Sequence, residues 1–405
     1  MTPDRAWRMG LVALVILVAP ATAGAETCLS PFVKRLDRPE TFLYLFCVDA
    51  DAEDNDFVAV IDVAPGSPSY GRVTKTVDLG TRGNETHHWG YTDDRTRIWA
   101  GGLLSSRIWI IDVATDPANP RVEKVMDDVP KVTGLSGPHT YYALPGRMLI
   151  NFLGAEGGGL PAGMAEFTND GRFIRRIENP DDAPYGYDVA IHPSPSRNRM
   201  VSSSFTPMRN YKKPLAQMDM KDFGSELVVW DFKARKPLQV ARVGLAPLEV
   251  RWSLKPEANH GFTNCALDNS LWMFRGKDDG SYEVKKVAET GALPADLRQS
   301  PDDRYLFVSA FAGDAIQQFD VSDPDHPKLV STAKPGTQPN MMHVTGDGKR
   351  MYVSNSLLST IDRENDFWVK LIRIDASGLH VDPNFKVDLN NFPTGPARGH
   401  DMLLN

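Results

Sequence analysis

The chain reads as an all-β protein, a seven-bladed β-propeller. Three observations predict it: strand, turn and strand recur as a unit, aspartates close the strands at regular spacing, and no long amphipathic helix interrupts the pattern. Residues 92–101 (TDDRTRIWAG) lead to 107–113 (RIWIIDV), and residues 300–309 (SPDDRYLFVS) lead in the same way to 315–321 (AIQQFDV). In each, a polar turn precedes a β-rich strand closed by small residues, and a second strand ends in Asp. Related copies stand at 58–63, 147–167, 200–231 and 351–375. Asp62, Asp112, Asp231, Asp320 and Asp375 lie 50, 119, 89 and 55 residues apart. The two middle gaps each hold two units, which gives about seven repeats, the count and period of four-stranded blades.

Ahead of the first repeat, residues 1–25 have the form of an export signal. Arg5 and Arg8 precede an apolar stretch from Leu11 to Val18, and Ala23-Gly24-Ala25 offers a small-residue cleavage site. The apolar stretch is shorter than the about 20 residues a spanning helix needs. The mature chain is therefore expected to start near Glu26, in the periplasm, without stable membrane insertion, and to form one propeller over residues 26–405. Cleavage removes two positive charges and one negative, taking the net charge from −7 to −8. With no block of basic residues, nucleic acid is not an expected partner. In an oxidising compartment Cys28 and Cys47 are expected to pair, and Cys265, within the strand-like run 261–267, to be a buried inert thiol. Oligomeric state is left open, a homo-oligomer included.

Between the strands, residues 113–120 and 321–327 combine Asp and Pro and read as outer hairpin turns. The Gly-rich run 154–159 lacks the Lys and the strand-to-helix setting of a phosphate loop, so it reads as a blade loop. Residues 207–222 are long for a hairpin and are expected to fold over one face as a lid.

The inner strand of each blade lines the central channel, and the sequence marks it as the strand just ahead of each polar turn. His87 stands five residues before Thr92, and His139 five before Leu144; His343 stands three before Gly346, which keeps it on the same strand face. His400 lies in the final segment, which can supply the last inner strand. Four repeats thus offer an imidazole at comparable positions. His88 joins the same site only if the backbone bends between it and His87, because successive strand residues face opposite sides. His260 is a further candidate ligand, whereas His192, His326 and His380 read as peripheral. Asp188, Glu249 and Asp296 occupy equivalent points in other repeats, and Glu249 or Asp188 is the candidate proton acceptor. Imidazoles without thiolates suit copper, which binds nitrogen sites more tightly than other divalent first-row ions. The short His-Glu-x-x-His spacing of many zinc sites is absent.

At these residues the chain resembles the selenium-binding protein family, whose exported bacterial branch includes methanethiol oxidases. The matching phrases are Thr86-His87-His88, residues 104–108 (LSSRI), 184–188 (PYGYD), 247–251 (PLEVR), 261–267 (GFTNCAL), 382–388 (DPNFKVD) and 395–400 (GPARGH). The resemblance implies a seven-bladed propeller and copper-dependent oxidation of methanethiol by oxygen and water to formaldehyde, hydrogen sulfide and hydrogen peroxide. Small-molecule thiol and oxygen are then the expected partners. It implies His87, His88, His139 and His400 as ligands more directly than His260 and His343, where some relatives carry glutamine. Eukaryotic relatives have a Cys-x-x-Cys after the paired histidines, where this chain runs Trp89-Gly90-Tyr91-Thr92, so the resemblance does not extend to a thiol-exchange role. The alternatives from other classes are a non-catalytic copper-binding or copper-delivery propeller, and an interaction propeller with structural histidines.

Overall fold

The computed structural model describes residues 26–27, 29–363 and 365–405; the segment expected to be an export signal, residues 1–25, and Cys28 lie outside these. Seven four-stranded antiparallel sheets follow one another around a channel. Their inner strands are Thr86–Tyr91, Leu135–Leu144, Val189–Ile191, Pro247–Trp252, Pro294–Gln299, Met342–Val344 and Ala397–Leu404. The last of these is the C-terminal strand, which pairs with Phe42–Asp49 and so supplies the inner strand of the first blade. That pairing closes the ring and leaves no blade with an open inner edge.

The five aspartates read from the sequence all end the third strand of a blade. In each, a carboxylate oxygen accepts a backbone N–H two or three residues on, at Ala64, Ala114, Ala234, Ser322 and Ser377. This side-chain turn starts the hairpin to the outermost strand, which is why Asp recurs there. Thr168 and Gly276 end the third strands of the two blades that the wider gaps span.

Apolar side chains of facing blades interleave. Phe46 stacks on Trp89 with ring centroids 4.9 Å apart, joining blades one and two, and Trp99, Trp109, Trp230 and Trp368 are fully buried, each in a different layer. Cys47 lies in the layer between blades seven and one with Leu45, Ala59 and Met402. It is a free thiol, which corrects the expected bond to Cys28 on the Cys47 side: the strand alternation turns Cys47 into this apolar layer. Cys265 is likewise free and buried.

Both ends of the channel are covered. Residues 205–223 run in short 3-10 turns over one mouth, as the sequence predicts, burying Met208, Tyr211 and Phe223 with Leu103, Leu248 and Leu358. At the other mouth the N-terminal segment crosses from blade to blade. Thr27 Oγ1 donates to Gln299 O (2.6 Å), Ser30 Oγ to Ala143 O (2.7 Å) and Lys34 N to Asp93 O (2.8 Å).

Deleting the nine residues after Pro396 removes the whole closing strand. Burial of Met402, Leu403 and Leu404 alone contributes about 1.5–3 kcal/mol each, against a typical total stability of about 5–15 kcal/mol. The truncated chain is expected to give no cooperative thermal transition by circular dichroism. A truncated chain melting within a few degrees of the full one would contradict ring closure by this strand.

Candidate metal centre in the channel

Each inner strand ends at a residue whose backbone N–H returns to the first residue of the next strand: Thr92 to Arg97, His192 to Arg199, Ser253 to His260, Ser300 to Tyr305, Thr345 to Arg350 and Asn405 to Phe42. Leu144 holds the same place opposite Arg147. Five residues earlier in every blade stand His87, His139, Tyr187, Leu248, Ala295, Asn340 and His400. The next residues are His88, Thr140, Asp188, Glu249, Asp296, Met341 and Asp401.

The inner strands of five blades bulge at this level, with register shifts between Thr86 and Trp89, Pro138 and Tyr141, Pro247 and Val250, Pro294 and Asp296, and across His400-Asp401. A bulge sets an extra residue against the partner strand and re-aims its side chain. This is the bend that His87-His88 requires. His87 lines a small chamber under the roof, together with Tyr187 and Leu248. His88 lines a polar cavity of about 430 Å³ on the opposite side, together with Thr140, Asp188, Glu249 and Asp401.

Four imidazoles meet between these spaces. His87 and His400 stack with ring centroids 3.7 Å apart, and His88 and His139 lie 4.4 Å apart. One nitrogen from each of His87, His88 and His400 can lie within 4.8 Å of the others. His139 joins from the third blade, 5.0 Å from His87. None of the four is more than 7% exposed.

Hydrogen bonds at Nδ1 set the tautomers. His400 Nδ1 donates to Ser356 O (2.8 Å). His139 Nδ1 donates to Thr140 Oγ1 (3.1 Å), whose hydroxyl donates to Asp188 Oδ1 (2.9 Å). His88 Nδ1 lies 3.3 Å from Asp401 Oδ2. The Nε2 atoms of His139 and His400, and Nδ1 of His87, are buried and have no hydrogen-bond partner among the described residues. Buried polar atoms are rarely left so. Ring nitrogens fixed by a second hydrogen bond, with the opposite lone pair bare, are the arrangement of metal-ligating histidine.

Electrostatics keeps these rings neutral. Burial, then repulsion from the neighbouring rings, holds His87 and His139 well below 6.5. Burial brings His88 and His400 down to about 3, with Arg298 further opposing charge on His88.

The polar cavity carries a charge network. Arg251 Nη1 pairs with Asp188 Oδ2 (2.6 Å), and its other arm pairs with Glu249. Arg298 Nε pairs with Asp296 Oδ2 (3.2 Å). Asp188 also accepts the Val250 N–H at 2.8 Å. Burial opposes its charge, but Arg251 and these donors hold its carboxyl below the usual range. Both its oxygens are engaged, so Asp188 serves to fix His139 through Thr140. Glu249 is pushed well above the carboxylate range by burial and by Asp188.

His343 and His260 are not brought to this ring. His343 stands two residues before Thr345, at the level of Arg251 and Arg298. Its Nδ1 donates to Met402 O (2.8 Å) and its Nε2 faces Glu26 Oε1 (3.1 Å), so both ring nitrogens are engaged. Counting from Gly346 placed it too high: Thr345 is the equivalent of Thr92, and Asn340 holds the His87 level, with Nδ2 3.2 Å from His400 Nδ1. His260 starts the second strand of blade five, at the far end from the ring. Thr140, Asp401, Ser356, Arg251 and Arg298 escaped the sequence reading as site residues; counting one and three residues past the histidine level finds all but Ser356, which lies on a loop.

Fold and site together define a propeller with a buried histidine cluster in its closed channel. The model of the 56kDa selenium binding protein (SBP56) family matches residues 27–405, and the chain belongs to that family. It is 38% identical to the methanethiol oxidase of Hyphomicrobium sp over 97% of this chain and 93% of that one. It is 35% identical to the methanethiol oxidase of Ruegeria pomeroyi over 93% and 92%. Among solved structures, a hypothetical selenium-binding protein from Sulfolobus tokodaii superposes with a TM-score of 0.84 at 27% identity, covering 93% of this chain and 96% of that one.

The depressed imidazoles fix a pH dependence. The unfolded chain takes up protons at His88 and His400 near 6.5 and the native chain only near 3. Between those values the unfolded state binds more protons, so native stability falls as pH drops through the window. For metal-free protein, the urea midpoint is expected to fall from about pH 7 to pH 5, and to fall less in a His88→Gln/His400→Gln variant. Equal pH dependence in both proteins would contradict neutral burial of these rings.

Proposed function

We propose that the chain is a periplasmic, copper-dependent oxidase of a small thiol. The reaction is methanethiol with oxygen and water giving formaldehyde, hydrogen sulfide and hydrogen peroxide. Two electrons leave the methyl carbon and reduce oxygen to peroxide; water supplies the aldehyde oxygen, and the C–S bond breaks to release the sulfide. The observation that carries this reading is the set of buried, neutral imidazoles with unpartnered lone pairs. Names of relatives sharing 35–38% identity support the thiol substrate.

His87, His88, His139 and His400 would hold the copper. Neutral nitrogen donors without a thiolate fit Cu(II) well. When bound, copper supplies a Lewis acid that acidifies a thiol and a redox centre between thiol and oxygen. The residues around it have their own tasks. Ser356 O, Asp401 and the Thr140–Asp188 pair present the lone pairs. Glu249, raised in pKa and facing the same cavity as His88, is the group placed to exchange a proton with water there. Burial of the ring beneath the roof favours turnover over handing copper to a partner protein.

Export supports the oxidising setting, and an intact mass beginning near Glu26 tests it; retention of residues 1–25 in the periplasmic protein would contradict it. The activity is tested by oxygen uptake on adding methanethiol, with formaldehyde, sulfide and peroxide formed in equal amounts. Replacing His87, His88, His139 or His400 by Ala is expected to remove most copper and most uptake while the β-rich circular dichroism persists. Asp401→Asn and Thr140→Val are expected to weaken copper binding by about 10–100-fold. His343→Ala, His260→Ala and His192→Ala keep the metal. Full copper and full activity in all four ring variants would place the site elsewhere.

A further inference from the structure

Building on the oxidase reading, we infer that the chamber between the histidine ring and the roof receives the alkyl group of the thiol and restricts the enzyme to the shortest alkanethiols. The chamber measures about 40 Å³. About 10–15 Å³ is enough for one water, so the space admits a molecule of about two or three heavy atoms. Its walls include Phe205, Met218, Leu248, Ala266, Leu358 and Ile361. They give a methyl group contact without a competing hydrogen bond, and His87 forms part of the same wall. A molecule in the chamber therefore touches the ring from the roof side.

Two further side chains point to a ligand there. Asn210 and Tyr211 line the chamber and are almost wholly buried, yet Asn210 Oδ1 and Tyr211 Oη have no hydrogen-bond partner among the described residues. Apolar walls with a few polar atoms to orient the ligand are the usual make-up of a small-molecule pocket.

The opposite side of the ring differs in kind. The 430 Å³ cavity that His88 faces is edged by Asp188, Glu249, Arg251, Arg298 and Asp401. Water is stable beside these charged groups, which lie next to the ring. The ring thus separates the two reactants, thiol on the roof side and water on the charged side. Leu215 and Met218, half-buried in the roof, stand between the chamber and solvent and form the entry for an apolar molecule.

Each methylene beyond what the chamber holds is expected to lower kcat/KM by about 10-fold or more. The test uses the mature exported protein and compares 1-propanethiol with methanethiol. Leu248→Ala and Met218→Ala are expected to raise the propanethiol-to-methanethiol ratio of kcat/KM by about 10-fold or more. Ala266→Leu should lower kcat/KM for methanethiol with copper content retained. Xenon, which enters dry apolar cavities, gives a readout free of turnover: diffraction under xenon pressure should place an atom beside His87 in the wild type and none in Ala266→Leu. A wild type that oxidises methanethiol, with an unmoved chain-length ratio in both enlarged variants, overturns the chamber's role and leaves the oxidase reading standing. Xenon bound only elsewhere also overturns it. Xenon in the chamber of a protein that oxidises no thiol overturns the oxidase reading and, with it, the alkanethiol assignment.

Discussion

A bulge repeated at one level of five inner strands governs what the channel can do. On a regular strand His87 and His88 would face opposite sides. The extra residue between Thr86 and Trp89 brings both to the channel, and the same displacement turns His139-Thr140, Leu248-Glu249 and His400-Asp401 inward as pairs. Each blade thereby contributes one residue to an upper ring and one to a lower ring. Where the inner strand starts only after that level, as at Val189 and Met342, irregular backbone supplies Tyr187-Asp188 and Asn340-Met341. Gly186 is needed for the first of these, because a Cβ there would lie 1.9 Å from Phe152 O in the adjoining blade.

The two rings have opposite electrostatic characters, and the difference follows from what each can pair with. Charged imidazolium in the upper ring has no carboxylate close enough to offset the loss of water, so the histidines remain neutral. Carboxylates of the lower ring face Arg251 and Arg298, and those at Asp188 and Asp296 also accept backbone N–H groups of the next blade, at Val250 and Met342. The charge network therefore ties blades together as well as surrounding the cavity. Glu249 is pushed well above the carboxylate range by burial, and Asp188, with which it shares Arg251, adds to the rise.

Much of this was legible in the sequence, for identifiable reasons. The hairpin aspartates are a local signal, since each caps its own turn, and their spacing carries the blade count. The histidine register was legible because the distance from ring level to turn is five residues in every blade. It fails at His343, because the landmark there is not Gly346 but Thr345, the hydroxyl residue that donates to Asp347 as Thr92 does to Asp94. His260 carried no periodic signal, and its place at the far end of a second strand shows why. The Cys28–Cys47 expectation rested on compartment alone; strand alternation, which sends Cys47 into the apolar layer, was the stronger constraint. Ser356 could not be found from sequence, because its carbonyl reaches His400 from a loop 44 residues away.

The measurement that bears most directly on the histidine centre is pulsed electron paramagnetic resonance of the oxidised protein, purified after export, alongside metal analysis. The proposed copper centre predicts bound copper coupled to several imidazole nitrogens, with one coupling lost in His139→Ala and the spectrum unchanged in His343→Ala. A protein that emerges from export with zinc or no metal, or a copper signal untouched by replacing His87, His139 and His400 in turn, would contradict it.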